Sequence, residues 1–88
     1  MDEAAALLDR CLGEAVRILR VTRRLSQTDL AKKVRVSTKT MGMIERGQTS
    51  MSMRKMLEVA TALKVEVGDL VKRATDLQAS GFTGSQTS

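Results

Sequence analysis

The sequence predicts an all-α protein, one compact domain of five packed helices. Three observations carry that expectation. The chain of 88 residues has no proline and only one aromatic, Phe82, so its core must be built from Leu, Val, Ile, Met and Ala. That composition favours helices packed on helices over a β-sandwich. The apolar residues recur at i, i+3 and i+4, and the segments they define open on helix-capping residues. A chain this short forms a single domain with a modest core.

The first helix is expected over about Ala4 to Arg23, with Leu8, Leu12, Ala15, Val16 and Leu19 on one stripe. Leu25 then leads into Ser26-Gln27-Thr28-Asp29, where Ser26 caps a helix start and Asp29, three residues on, imitates a capping box. The second helix is short, about Gln27 to Lys33, and buries Leu30, Ala31 and Val34. Ser37 caps a third over Thr38 to Arg46, which Gly47 ends. After a loop at 48–51, Ser50 or Ser52 caps a fourth helix with Met53, Met56, Val59, Ala60 and Leu63 inward. A last short helix, about Val67 to Arg73, is anchored by Leu70. The closing GFTGSQTS is small and polar. The domain is therefore expected over 4–73, with 74–88 a flexible polar tail.

The formal net charge is +5, unevenly placed: residues 1–10 carry −2, 11–50 carry +6, 51–73 carry +2 and 74–88 carry −1. The basic weight falls on Arg17, Arg20, Arg23, Arg24, Lys32, Lys33, Arg35, Lys39 and Arg46. Such a concentration suits a polyanion and makes binding salt-dependent; the alternative is a solvated surface that keeps the protein soluble. Cys11 is the only cysteine, the chain opens Met1-Asp2-Glu3 without a basic leader, and no apolar run approaches the ~20 residues that span a bilayer. A cytoplasmic protein with no membrane partner is expected.

The third helix has an odd composition, VSTKTMGMIERGQ over 36–48, with a glycine in its middle. At 100° per residue, Ser37, Met41, Ile44 and Glu45 fall on one side and Thr38, Lys39, Gly42, Met43 and Arg46 on the other. The first side has apolar surface to dock on the domain. The second is polar, narrow at Gly42 and cationic at both ends, unlike a solvent face chosen for helix propensity.

The run from Gln27 to Arg46 resembles the helix-turn-helix of phage-repressor and Cro-type regulators. The likeness rests on Gln27 opening the second helix, Leu30 followed by small Ala31, and apolar Val34, Val36, Met41 and Ile44. It extends outward through Leu25-Ser26-Gln27, the Glu45-Arg46-Gly47 exit and Val59-Ala60-Thr61-Ala62-Leu63, covering roughly residues 12 to 71. Two positions depart from the family: Arg35 stands in the turn where glycine is preferred, and Met51 where proline is common.

The resemblance implies a repressor-like fold with the helix-turn-helix at helices 2 and 3, placed so that the second of them enters a major groove. By analogy Thr38, Lys39, Gly42 and Met43 face base edges, with Lys39 donating to guanine and Met43 touching a thymine methyl. Gly42 would let the backbone come close. Gln27, Arg46, Gln48, Thr49, Ser50 and Arg54 would hold phosphates. The alternatives are a place at the core's rim for Met43 and simple solvation for Lys39. The resemblance also implies a buried pair between Arg20 and Glu45, tying the first helix to the end of the third.

The expected function is sequence-specific binding of double-stranded DNA by a homodimeric transcriptional repressor on a palindromic operator. A patch of Val67, Leu70, Val71 and Leu77 is the expected interface. The alternative is an antitoxin or other module that uses the same fold to bind a protein partner. An enzyme is disfavoured: there is no histidine, no cysteine pair and no glycine-rich phosphate loop, and the carboxylates lack metal-ligand spacing. No catalytic residue, metal or cofactor is expected, and Cys11 reads as a buried thiol.

Overall fold

A computed structural model describes residues 2–84. It contains five helices: α1 Glu3–Thr22, α2 Gln27–Lys33, α3 Thr38–Glu45, α4 Met53–Ala62 and α5 Val67–Ala79. Each start has a local cause. Asp2 accepts from the Ala4 N–H, Ser26 from Asp29, Ser37 from Thr40 and Ser52 from Lys55, while the Asp69 carboxylate accepts from the Glu66 N–H. Each of these bonds occupies a backbone N–H that has no partner inside its helix or at its cap.

The helix ends follow one rule. In all five, a residue in the left-handed region follows the C-cap: Arg24 (φ 59°), Arg35 (60°), Gly47 (72°), Lys64 (61°) and Gly81 (93°). The next N–H then bonds back five residues, from Leu25 to Arg20, Val36 to Ala31, Gln48 to Met43, Val65 to Ala60 and Phe82 to Leu77, at 2.9–3.0 Å. This is the Schellman arrangement, which satisfies the last carbonyls and turns the chain inward. Leu25, Val36, Val65 and Phe82 accordingly pack against the core. Arg35 thus takes the conformation for which the family prefers glycine, and the turn keeps its shape.

The core is built from Cys11, Leu12, Ala15, Val16 and Leu19 of α1, Leu30 and Ala31 of α2, Met41 of α3, Val59 of α4, Leu70 and Ala74 of α5, with Val34 and Leu63 from the helix ends. Leu30, Met41, Leu63 and Leu70 are fully buried, each contributing about 1.5–3 kcal/mol over an exposed side chain. α1 is the central strut, packed against α5 and α3; α2 packs on α3 and α4, and α4 on α5.

Several expectations are corrected. α5 does not stop at Arg73 but runs to Ala79, because Leu70, Ala74 and Leu77 continue an apolar stripe at i, i+4, i+7. Residues 74–79 are therefore helix rather than tail, and the chain stays attached beyond them: Phe82 packs on the core and the Thr83 carbonyl accepts from Arg10 Nε at 2.6 Å. The part of the expected tail at 85–88 lies outside the described residues. Leu8 is 40% exposed, since Leu7 and Cys11 take the inner side of α1, and Met53 is 64% exposed, since Met51 before the cap takes the inner place. Leu70 is wholly buried and so drops out of the expected interface patch, while Val71 is 40% exposed and Val67 and Leu77 are half-buried.

Candidate nucleic-acid interface

The unit formed by α2 and α3 is fixed from both ends. At its start, the Thr28 and Thr38 hydroxyls lie 3.1 Å apart in a hydrogen bond that links the first turns of the two helices. Between them, the left-handed Arg35 and the bond from Val36 N–H to the Ala31 carbonyl close the turn. Ala31 is 1% exposed, and its small side chain permits the close crossing.

At the far end of α3 lies a buried ionic junction. Arg20 donates through Nε to Glu45 Oε2 at 2.6 Å and through Nη2 to Glu45 Oε1 at 3.1 Å, while Nη1 reaches the Leu25 carbonyl at 2.9 Å. Gln27 Nε2 donates to the same Oε1 at 2.9 Å. The side chains of Arg20 and Glu45 are only 13% and 2% exposed. One carboxylate therefore joins α1, α2 and α3, and both of its oxygens are occupied. Such a junction fixes orientation more surely than it adds stability, because desolvating both charges offsets much of their attraction.

Two glycines make the crossing of α1 and α3 possible. A side chain at Gly13 would overlap the Ile44 carbonyl oxygen and come within 2.6 Å of that of Glu45; one at Gly47 would come within 2.6 Å of the Arg10 backbone. Gly13 was not among the expected functional residues. Its signal was a glycine in the middle of an otherwise regular helix, which marks a close approach.

The outward face of α3 carries Thr38, Lys39 and Arg46, all exposed, and a half-buried Met43. Gly42 is not open as expected but buried. The Arg46 guanidinium folds back across it, and the Gln27 amide oxygen also lies close; a Cβ at position 42 would stand 3.0 Å from Arg46 Nη1 and 3.6 Å from Gln27 Oε1. Arg46 Nε donates to Gln48 Oε1 at 3.1 Å. Gln27, Gly42, Arg46 and Gln48 are thus brought together, while Thr49 is half-buried. Ser50 turns away: its hydroxyl donates to Asp9 Oδ2 at 2.7 Å, beside a carboxylate that opposes a phosphate. Arg54 is exposed and acts on Glu58, whose carboxyl is held below the usual range chiefly by a hydrogen bond from Lys55, with Arg35 and Arg54 adding to it.

Of the nine basic residues noted above, only Arg17 and Arg20 form ion pairs among the described residues, with Glu14 and Glu45. The others leave positive charge unopposed at contact distance. Among the same residues, no cluster of Cys, Asp or Glu is able to hold a metal ion, and no helix is long and apolar enough to cross a membrane. Cys11 is fully buried, and burial pushes its thiol up.

A helix-turn-helix domain model matches residues 12–74. Among solved structures, the chain is similar to the clp gene regulator ClgR from Corynebacterium glutamicum, with 32% identity, 84% of this chain and 82% of that one covered, and a TM-score of 0.79. It is also similar to the restriction-modification controller protein C.AhdI from Aeromonas hydrophila, with 36% identity, 69% and 92% covered, and a TM-score of 0.67. No curated protein matches the chain by sequence.

Proposed function

The chain belongs to the helix-turn-helix domain family of DNA-binding transcription regulators, and from that premise we propose that it is a homodimeric repressor of a two-fold symmetric operator. The observation that carries this reading is the outward face of α3: Thr38, Lys39 and Arg46 stand exposed, with no carboxylate among the described residues paired to either cation. Lys39 supplies a donor for guanine O6 or N7, and Thr38 a hydroxyl and a methyl for a base edge; Met43 lies at the edge of that face. Gln27, Gln48, Thr49 and Arg54 flank it as phosphate contacts that set register.

Dimerisation follows from reach. α3 has 8 residues, a length of about 12 Å, so one copy spans only a few base pairs. Two copies about one helical turn of DNA apart read enough sequence to single out a site, and their symmetry is mirrored in the operator. Repression needs nothing beyond occupancy of a promoter by such a dimer.

Selection of bound duplexes from random DNA, followed by affinity measurement at several salt concentrations, tests the reading. The expected result is a palindromic site, two chains per duplex and steep loss of affinity as salt rises. Lys39→Ala should relax preference at one base pair of each half-site by about 1–3 kcal/mol, and Gln27→Ala should weaken binding to all duplexes alike. A selected pool without symmetry, or one chain per site, would remove the dimer; unselective binding would remove the regulator of a defined operator.

A further inference from the structure

The Arg46 side chain does not leave the end of α3 in the direction expected of a phosphate contact. Helical side chains lean toward the N-terminus and cover the preceding turn. Here Arg46 does so fully, and its Nη atoms come to rest over Gly42, in the middle of the outward face. Three features hold it there. Gly42 has no side chain, and a Cβ at that point would be 3.0 Å from Nη1 and 3.6 Å from Nη2. Gln48 Oε1 accepts from Nε at 3.1 Å and so fixes the plane of the group. Glu45, the neighbouring carboxylate, is engaged at both oxygens by Arg20 and Gln27 and does not draw the guanidinium away.

Resting on the proposed reading of operator DNA, we infer that Arg46 reads a guanine base and that Gly42 is its positioning residue. With Nε taken by Gln48, the two Nη groups remain as a pair of parallel donors. That pair fits O6 and N7 of guanine in the major groove, which accept a bidentate guanidinium. A group laid over the middle of the groove-facing helix meets base edges, whereas phosphates lie at the groove's rims. Lys39, one turn away on the same face, is a separate reader. The mid-helix glycine, costly for the helix, is the condition for this seat.

The inference separates stability from recognition. Gly42→Ala should raise Tm by about 4–8 °C, because alanine is the better helix former and its methyl meets only the movable ends of Arg46 and Gln27. The same variant should lose several-fold of its discrimination at one guanine. The experiment takes the site selected by the unmodified chain and measures affinity for all four base pairs at each position, with the unmodified chain, Arg46→Lys and Gly42→Ala. Arg46→Lys keeps the charge and should keep the salt dependence, but should lose about tenfold to a hundredfold of discrimination at that guanine. Unchanged discrimination at every position in Arg46→Lys would overturn the base-reading role. Full discrimination in a folded Gly42→Ala would overturn the seat. Failure of the unmodified chain to select any duplex would instead sink the operator-binding reading, and the inference with it.

Discussion

Arg20 and Glu45 meet in a two-point ion pair at 2.6 and 3.1 Å that spans 25 positions of sequence and joins α1 to the last residue of α3. Gln27, at the first residue of α2, donates to the same carboxylate. Removing one partner leaves the other buried without its counter-charge. Arg20→Ala should therefore cost about 3–5 kcal/mol in urea unfolding. Arg20→Ala combined with Glu45→Ala should cost clearly less than the sum of the two single changes, and strict additivity in that cycle would refute the coupling.

Gly13→Ala tests the crossing of α1 and α3. Alanine is the better helix former, so propensity alone predicts a gain. The methyl group would instead collide with two backbone carbonyls, which cannot move as a flexible side chain does. A loss of about 1–3 kcal/mol is expected, together with weaker DNA binding, as α3 is displaced from α1. Equal or higher stability in denaturant would show that the contact is not tight. Gly13 and Gly42, both helical glycines, should thus respond to alanine with opposite signs.

Arg35→Gly should stabilise the fold by about 1 kcal/mol, since glycine enters the left-handed region without the steric cost of a Cβ. Arg35→Val should do the reverse by a comparable or larger amount. Thermal unfolding of the pair measures this directly. Equal Tm values for glycine and valine would mean that the position is not held at positive φ.

Asp29 gives a pH-dependent prediction. Hydrogen bonding from the Ser26 backbone N–H, with its hydroxyl, Lys32 and Lys33 adding to it, holds this carboxyl below the usual range. A carboxyl whose folded pKa is depressed contributes stability above its unfolded pKa and loses it as pH falls through the folded value. Asp29→Ala should therefore lower stability at neutral pH and bring the two proteins closer as pH falls through and below the ordinary aspartate range. A gap that stays constant into acid would assign the effect to something other than the ionised capping box.

The helix count and the starts of the middle helices were legible because their causes are local. Ser26, Ser37 and Ser52 cap their helices through bonds three residues long, which a one-dimensional pattern contains. The end of α5 was not legible, because small Ala74, polar surroundings and a glycine-bearing close resemble a tail until α1 lies beside them. Leu8 and Met53 were misplaced for a related reason. Periodicity gives the angle of a residue around its helix, but not how far along that helix its neighbours extend.

The same division runs through the candidate site. Sequence by itself determined five helices, a basic surface centred on residues 11–50, and a third helix with one docking face and one polar face. Those follow from capping chemistry, spacing and charge, which need only neighbours in the chain. Tertiary structure decided what covers each position. It brought Gln27 onto the Glu45 carboxylate, turned Ser50 toward Asp9, set Gly13 against two carbonyls, and laid Arg46 over Gly42. Three of these contacts join residues more than fifteen positions apart. The fourth depends on a side-chain rotamer that Gln48 and the occupied Glu45 select, and no local propensity encodes that choice.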